Sequence, residues 1–310
     1  MSPRALRNQA TRDEKRAARH GSQPLEGAVV ASFGRRYLVE LADASTLDCV
    51  TRGRRSALAC GDRVTVLRTA VGKGIIESVG TRTTLLYRSD RAREKLVAAN
   101  VTQIAIVVAP LPAFSADLVN RCLAAAEHGR MAAFIVLNKV DLPQAAQALE
   151  ALELYRALGY RVVALSANRD LGPLVPCLKG ETSVLVGQSG MGKSTIINGL
   201  LPAAAVRVAE ISAALDSGRH TTTHTRLFHL DATSHIIDSP GMQVFGLHHV
   251  EDDALAEAFV EFRPWLGQCR FRDCRHMSEP SCAVSAACRD GKISEQRLAS
   301  YRALIRERTS

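Results

Sequence analysis

Residues Gly187-Gln188-Ser189-Gly190-Met191-Gly192-Lys193-Ser194-Thr195 match G-x-x-x-x-G-K-[ST], a loop that cradles phosphates. Its glycines let successive backbone N–H groups turn toward one anion, and a helix starting at its end adds a partial positive charge. Lys193 is placed to bridge β- and γ-phosphates, and the Ser194 hydroxyl to hold Mg²⁺. A second set, Asn138-Lys139-Val140-Asp141, fits N-K-x-D. Guanine shows two adjacent donors, N1–H and N2–H₂, that one carboxylate accepts together, whereas adenine offers no such pair. Asp141 would be that acceptor, and an unpaired carboxylate or base edge makes the preference steep. Lys139 would lie along the base, and Asn138 would tie this loop to the phosphate loop. Ser166-Ala167-Asn168 fits a short S-A-x loop that supports guanine through backbone N–H.

Two further stretches complete a hydrolytic constellation. In Gly218-Arg219-His220-Thr221-Thr222-Thr223-His224-Thr225 a threonine could coordinate Mg²⁺ and sense the γ-phosphate. Thr222 and Thr223 are equal candidates. Asp238-Ser239-Pro240-Gly241 fits D-x-x-G, with Asp238 holding Mg²⁺ through water and the Gly241 N–H meeting the γ-phosphate. Alone this tetrapeptide is a turn signature; beside the other elements it reads as part of the site. Met242 stands where Ras-like enzymes place a water-orienting Gln. His220 is the candidate to orient or deprotonate the water instead, since imidazole titrates near neutral pH. Slow hydrolysis without a partner is expected.

A separate chemistry appears near the C-terminus. Cys269-x4-Cys274-x-His276-x5-Cys282 gathers three thiolates and one imidazole, a closed tetrahedral set for one structural Zn²⁺. Cys288 lies just outside the set, and Cys49, Cys60, Cys122 and Cys177 are isolated. Arg270, Arg272 and Arg275 interleave with the ligands and are candidates for phosphate contacts.

The elements that must position these residues follow from hydrophobic periodicity. Apolar runs at 103–109, 132–137, 161–165 and 183–186 read as strands, and 117–129, 144–159 and a segment from 196 as helices. That alternation predicts a mostly parallel, doubly wound sheet over 96–248. Residues 24–88 instead hold short β-type runs at 27–33, 36–41, 63–67 and 74–79, punctuated by glycines, which suggests a five-stranded OB-fold barrel. Arg52, Arg54 and Arg55 share one predicted loop and could touch phosphates. Phe33, Tyr37 and Tyr87 are too sparse to argue base stacking there, so backbone and shape recognition is the expectation. Residues 1–23 read as a basic flexible arm. Residues 249–310 read as a helical zinc-knuckle domain, with helices over 251–266 and 294–308.

Composition fits this plan. The 310 residues carry a net charge of +9, and all of it lies before residue 96, where nineteen Lys/Arg face ten Asp/Glu. A basic front on a neutral core suggests a polyanionic partner, most simply nucleic acid. The sequence has no apolar run long enough to span a membrane and no signal-peptide core. A cytoplasmic monomer with reduced cysteines is expected.

The order of the motifs is informative. In Ras-like GTPases the phosphate loop comes first, whereas here N-K-x-D and S-A precede it. The chain therefore reads as a circularly permuted P-loop GTPase whose D-x-x-G strand leads straight into the C-terminal domain, a covalent link that could transmit nucleotide state.

With its motifs in this order, NKVD, GQSGMGKS, GRHTTTHT, DSPG and CRFRDCRHMSEPSC, the chain over roughly 24–310 resembles the ribosome small subunit-dependent GTPase A family. The resemblance implies a multidomain chain: an N-terminal OB-fold, a central α/β circularly permuted GTPase and a C-terminal zinc domain. It implies GTP hydrolysis to GDP stimulated by the 30S subunit during late maturation of that subunit, with 16S rRNA as partner. It also implies His220 as the hydrolytic residue and Cys269, Cys274, His276 and Cys282 as zinc ligands. The alternative is an RNA-binding module whose nucleotide site only senses GTP or GDP.

Overall fold

A computed structural model describes residues 23–52, 58–90, 93–201, 225–238, 247 and 250–309. Along β2 (Arg36–Leu41) burial alternates, with Tyr37, Val39 and Leu41 inward, and β4 (Arg63–Ala70) does the same with Val64 and Val66. A period of two with one apolar face closes into a barrel. Strands β1 (Leu25–Phe33), β2, β3 (Thr46–Thr51), β5 (Lys73–Val79) and β4 are neighbours in that order, and β4 returns to β1. All contacts are antiparallel except the parallel β3–β5 pair. Val29, Val39, Leu47, Cys49, Val64 and Val66 fill the interior.

The strand at 46–51 was not expected. TLDCVT turns Leu47 and Cys49 inward while Thr46, Asp48 and an exposed Val50 face out, a pattern too short and too mixed to stand out in the sequence. A hairpin of β6 (Leu85–Asp90) and β7 (Arg93–Ala99) follows, across the interval left between barrel and α/β region.

The α/β region builds a sheet in the order β10 (Arg161–Ala164), β9 (Ala132–Leu137), β8 (Gln103–Val108), β11 (Thr182–Val186), β13 (His235–Asp238), β12 (Thr225–His229). These strands are parallel except for β12, which runs antiparallel to β13. Central strand β8 is buried at every position: residues 104–108 are apolar, and the Gln103 amide donates to the Cys177 carbonyl and Ser183 Oγ. Helices α1 (Ala116–His128) and α2 (Ala145–Ala157) cover one face through Val119, Leu123, Leu152 and Tyr155. The short α3 (Val175–Leu178) and α4 (Lys193–Leu200) cover the other through Leu178, Ile196 and Ile197. Edge strand β12 also pairs with barrel strand β1, Ala31 opposite Arg226 and Ser32 opposite Thr225. Glu40 of the barrel accepts from His229 Nε2 at 2.8 Å at the same junction.

The C-terminal part packs on the α1 face, and its Leu255, Phe259, Phe262, Tyr301 and Leu304 join one apolar cluster with Leu118 and Leu123. The helix expected over 251–266 is two pieces, α5 (Asp252–Glu257) and a 3₁₀ turn (Val260–Trp265). The chain leaves helical geometry at Phe259, whose backbone is extended at φ −91° and ψ 96°, and in the second piece Pro264 has no N–H to give the Val260 carbonyl, which removes an α-helical bond there. The break sets Phe259 and Phe262 edge-on to Tyr301, with ring centroids 5.4 and 5.2 Å away. Helices α6 (Ala283–Arg289) and α7 (Glu295–Thr309) complete the domain. No helix among the described residues is long and apolar enough to cross a membrane.

Candidate nucleotide site and metal centre

All the nucleotide motifs that fall within the described residues sit at the carboxyl ends of parallel strands. N-K-x-D follows β9, Ser166 follows β10, the phosphate loop follows β11, and Asp238 ends β13. Open α/β sheets bind ligands along this edge. The phosphate loop runs from buried Gly187 to Gly192, which caps α4 in the left-handed region at φ 92°. A Cβ on Gly187 would lie 2.2 Å from the Val107 carbonyl oxygen, and one on Gly192 2.2 Å from Asn138 Nδ2. Both positions therefore demand glycine on two counts, positive φ and close approach.

Asn138 is 2% exposed and joins three loops. Its Nδ2 donates to the Met191 carbonyl at 2.9 Å. Its Oδ1 accepts from Lys139 N at 2.8 Å and Ala167 N at 2.9 Å. Lys139, in the left-handed region at φ 60°, donates through Nζ to the Leu111 and Gly190 carbonyls at 2.8 and 2.6 Å. The Asp141 carboxylate accepts from the Ser166 hydroxyl, with Arg169 Nη2 4.0 Å away. That hydroxyl, before any nearby charge, holds Asp141 below the usual carboxylate range, so it is ionised and ready to accept.

Lys193 donates to the Gly187 and Gln188 carbonyls at 2.6 and 2.9 Å. Burial pulls its pKa down while Asp238 opposes the shift; burial pushes Asp238 up while Lys193 opposes. The two charges therefore share one enclosed place. Ser194 and Thr195 stand exposed on the first turn of α4, and Ser189 and Gly190 on the loop before it. His220, Thr222, Thr223, Gly241, Arg54 and Arg55 lie outside the described residues.

Two contacts escape sequence reasoning. Gln188 Oε1 accepts from the Ser115 N–H at 2.8 Å, and Ser115 Oγ caps α1 by accepting from Leu118 N. The cap was readable as a Ser before a helix; its tie to a residue 73 positions away was not. From α1, Asn120 then reaches α7. Its Nδ2 donates to Ser300 Oγ at 2.7 Å, while its Oδ1 accepts from Arg297 Nη1 and the Tyr155 hydroxyl. Arg297 is fully buried and forms a two-pronged ion pair with Glu261 at 2.5 and 2.9 Å.

Cys269, Cys274, His276 and Cys282 offer ligand atoms all within 4.8 Å of one another. His276 Nδ1 lies 3.6, 3.6 and 3.4 Å from the sulfurs of Cys269, Cys274 and Cys282, and two sulfurs are 4.0 Å apart. Tetrahedral zinc with Zn–S and Zn–N bonds of ordinary length requires S···N edges of about 3.5 Å and S···S edges of about 3.8 Å. The donor set thus fits a zinc ion. Backbone N–H groups of Ala283 and Ser285 point at Cys269 and Cys282 sulfurs at 3.3 and 3.4 Å, an arrangement that favours thiolates. Among the interleaved arginines, Arg275 pairs with Asp252 at 2.6 Å.

The profile of the RsgA GTPase family matches residues 79–248. The small ribosomal subunit biogenesis GTPase RsgA of Nitrosospira multiformis is 54% identical over 285 residues, which cover 92% of this chain and 91% of the relative. The protein of the same name from Nitrosomonas europaea is 50% identical over 286 residues, 91% of each chain. The crystal structure of YjeQ from Thermotoga maritima superposes with a TM-score of 0.71 at 30% identity, over 93% of this chain and 99% of that one. These relatives match over more than nine-tenths of the chain, and the chain therefore belongs to the RsgA GTPase family.

Proposed function

We propose that the chain binds the small (30S) ribosomal subunit and hydrolyses GTP to GDP and phosphate during late maturation of that subunit, with hydrolysis stimulated by the subunit. The observation that supports the reading is Asn138, whose side chain ties the base loop, the S-A loop and the phosphate loop together, as a guanine-nucleotide cradle would need. Relatives named for small ribosomal subunit biogenesis support the partner, as does the excess of positive charge before residue 96.

In this reading Asp141 accepts the guanine N1–H and N2–H₂, held ionised by Ser166. The Ala167 N–H is spent on Asn138, so the next loop N–H, at Asn168, is the one to meet the base oxygen. Lys193 exchanges two loop carbonyls for β- and γ-phosphate oxygens, a stronger, charged acceptor set. Ser194, Asp238 and either Thr222 or Thr223 would hold Mg²⁺, which when bound neutralises charge on the phosphates. A water attacks the γ-phosphorus while the bond to the β–γ bridging oxygen breaks and GDP leaves. His220 orients that water or takes its proton, and the Gly241 N–H and loop amides stabilise the charge that develops. Cys269, Cys274, His276 and Cys282 hold one structural Zn²⁺. The protein acts as a cytoplasmic monomer on 16S rRNA.

Co-sedimentation with purified 30S subunits tests the partner. Retention with a non-hydrolysable GTP analogue and release with GDP are expected; indifference to the nucleotide contradicts the cycle.

A further inference from the structure

Between the first two cysteines of the metal centre the chain reads Arg270-Phe271-Arg272-Asp273, and all four residues are exposed. Phe271 is 41% exposed, the one aromatic among the large hydrophobic side chains left exposed in the described residues. The Arg270 guanidinium lies over its ring, 5.6 Å from the centroid, within cation–π range. Cys269 and Cys274, at the two ends of this tip, each lie 3.6 Å from His276 Nδ1, so the metal centre fixes both ends of the tip. Neither Arg270 nor Arg272 has an ion-pair partner among the described residues, and only Asp273 offsets them within the tip. The barrel presents no comparable ring: Tyr37 is buried, and Phe33 and Tyr87 are half-buried.

We propose that Phe271 is a stacking platform for an unpaired nucleotide of RNA, with Arg270 and Arg272 on the flanking phosphates. This rests on the proposed binding of the small ribosomal subunit and names one residue-level contact within it. An exposed ring stacks on the flat face of any base, and guanidinium groups beside it track the backbone. Bases within a duplex are closed to such a ring, so the target is a loop, bulge or single strand. A protein pocket that buried Phe271 would have to desolvate two guanidinium groups along with it, at a cost that phosphates instead repay.

The full chain is titrated against purified 30S subunits, and separately against a short unstructured RNA oligonucleotide, over a range of salt. Phe271→Ala should weaken binding about 5- to 100-fold, the loss expected for one stacked base. Phe271→Trp should bind at least as well as the parent, and Phe271→Leu should fail like the alanine variant. Arg270→Gln with Arg272→Gln should flatten the salt dependence, by about 1.4 in log K against log salt for two single-strand phosphates. Unchanged zinc content and GTP affinity identify the effect as local. Alanine binding like the parent overturns the stacking contact, and leucine rescue with an unaltered salt slope shows a protein pocket instead. Failure of the parent on 30S subunits contradicts the proposed function, while the oligonucleotide series still decides the role of Phe271.

Discussion

The side-chain amide of Asn138 donates to the Met191 carbonyl across 2.9 Å, inside the phosphate loop it faces. Asn138→Ala strands the buried Met191 carbonyl, an unpaired group that costs about 1–3 kcal/mol, and the part-buried Ala167 N–H. A lower melting temperature together with weaker GTP binding is expected, read by thermal unfolding and nucleotide titration. Gly192→Ala should act in the same direction, because its Cβ would meet Asn138 Nδ2 at 2.2 Å.

Asp141→Asn tests base recognition. An amide cannot accept two guanine donors at once, and a loss of GTP-over-ATP preference of about 10²-fold or more follows from the unpaired edge. The amide complements xanthine, which carries an oxygen at position 2, so xanthosine triphosphate should gain affinity. Competition titrations measure both, and unchanged GTP selectivity would refute the assigned contact.

His220→Ala should leave GTP binding nearly intact and lower subunit-stimulated turnover by about 10²- to 10⁴-fold, the range of a lost acid–base group. Equal turnover in the variant removes His220 from the mechanism.

Removing zinc should not act on 249–310 alone. Cys274, Cys282, Val284 and Leu298 belong to the same apolar cluster as Leu123 of α1. Chelation is therefore expected to unfold the C-terminal helices and lower the melting temperature of the GTPase core as well. Thiolates and a neutral imidazole bind the metal, so protons compete, and chelation should be faster as pH falls. Circular dichroism with zinc release followed by a colorimetric chelator reads this; a chelator-resistant C-terminal domain contradicts the assigned ligands.

The Arg297–Glu261 pair gives the clearest stability prediction. Arg297→Ala leaves the Glu261 carboxylate, only 6% exposed, without a counter-charge. A loss of about 3–5 kcal/mol is expected in denaturant unfolding. The double change Arg297→Met with Glu261→Leu should recover much of it, since no charge is then buried alone.

Much of the site was legible in the sequence because its chemistry is local. Strand 132–137 and the N-K-x-D loop are contiguous, as are strand 183–186 and the phosphate loop, and each strand is a plain apolar run. Strand β3 and the β6–β7 hairpin were not, because TLDCVT and the charged hairpin tip carry little hydrophobic contrast. The break before Pro264 was misread as continuous helix because the apolar positions on both sides keep helical spacing. Contacts such as Asn120 with Ser300, 180 residues apart, have no sequence signal. They matter because they add a packed route between α1 and α7 to the covalent link after Asp238. The Arg275–Asp252 ion pair has no sequence signal for the same reason, its partners lying 23 residues apart.

Steady-state phosphate release from GTP, with and without purified 30S subunits and with ATP as control, tests the central claim most directly. Slow release from the protein alone, large stimulation by subunits and no comparable release from ATP are predicted. A rate indifferent to subunits, or equal turnover of ATP, would contradict a subunit-stimulated GTPase.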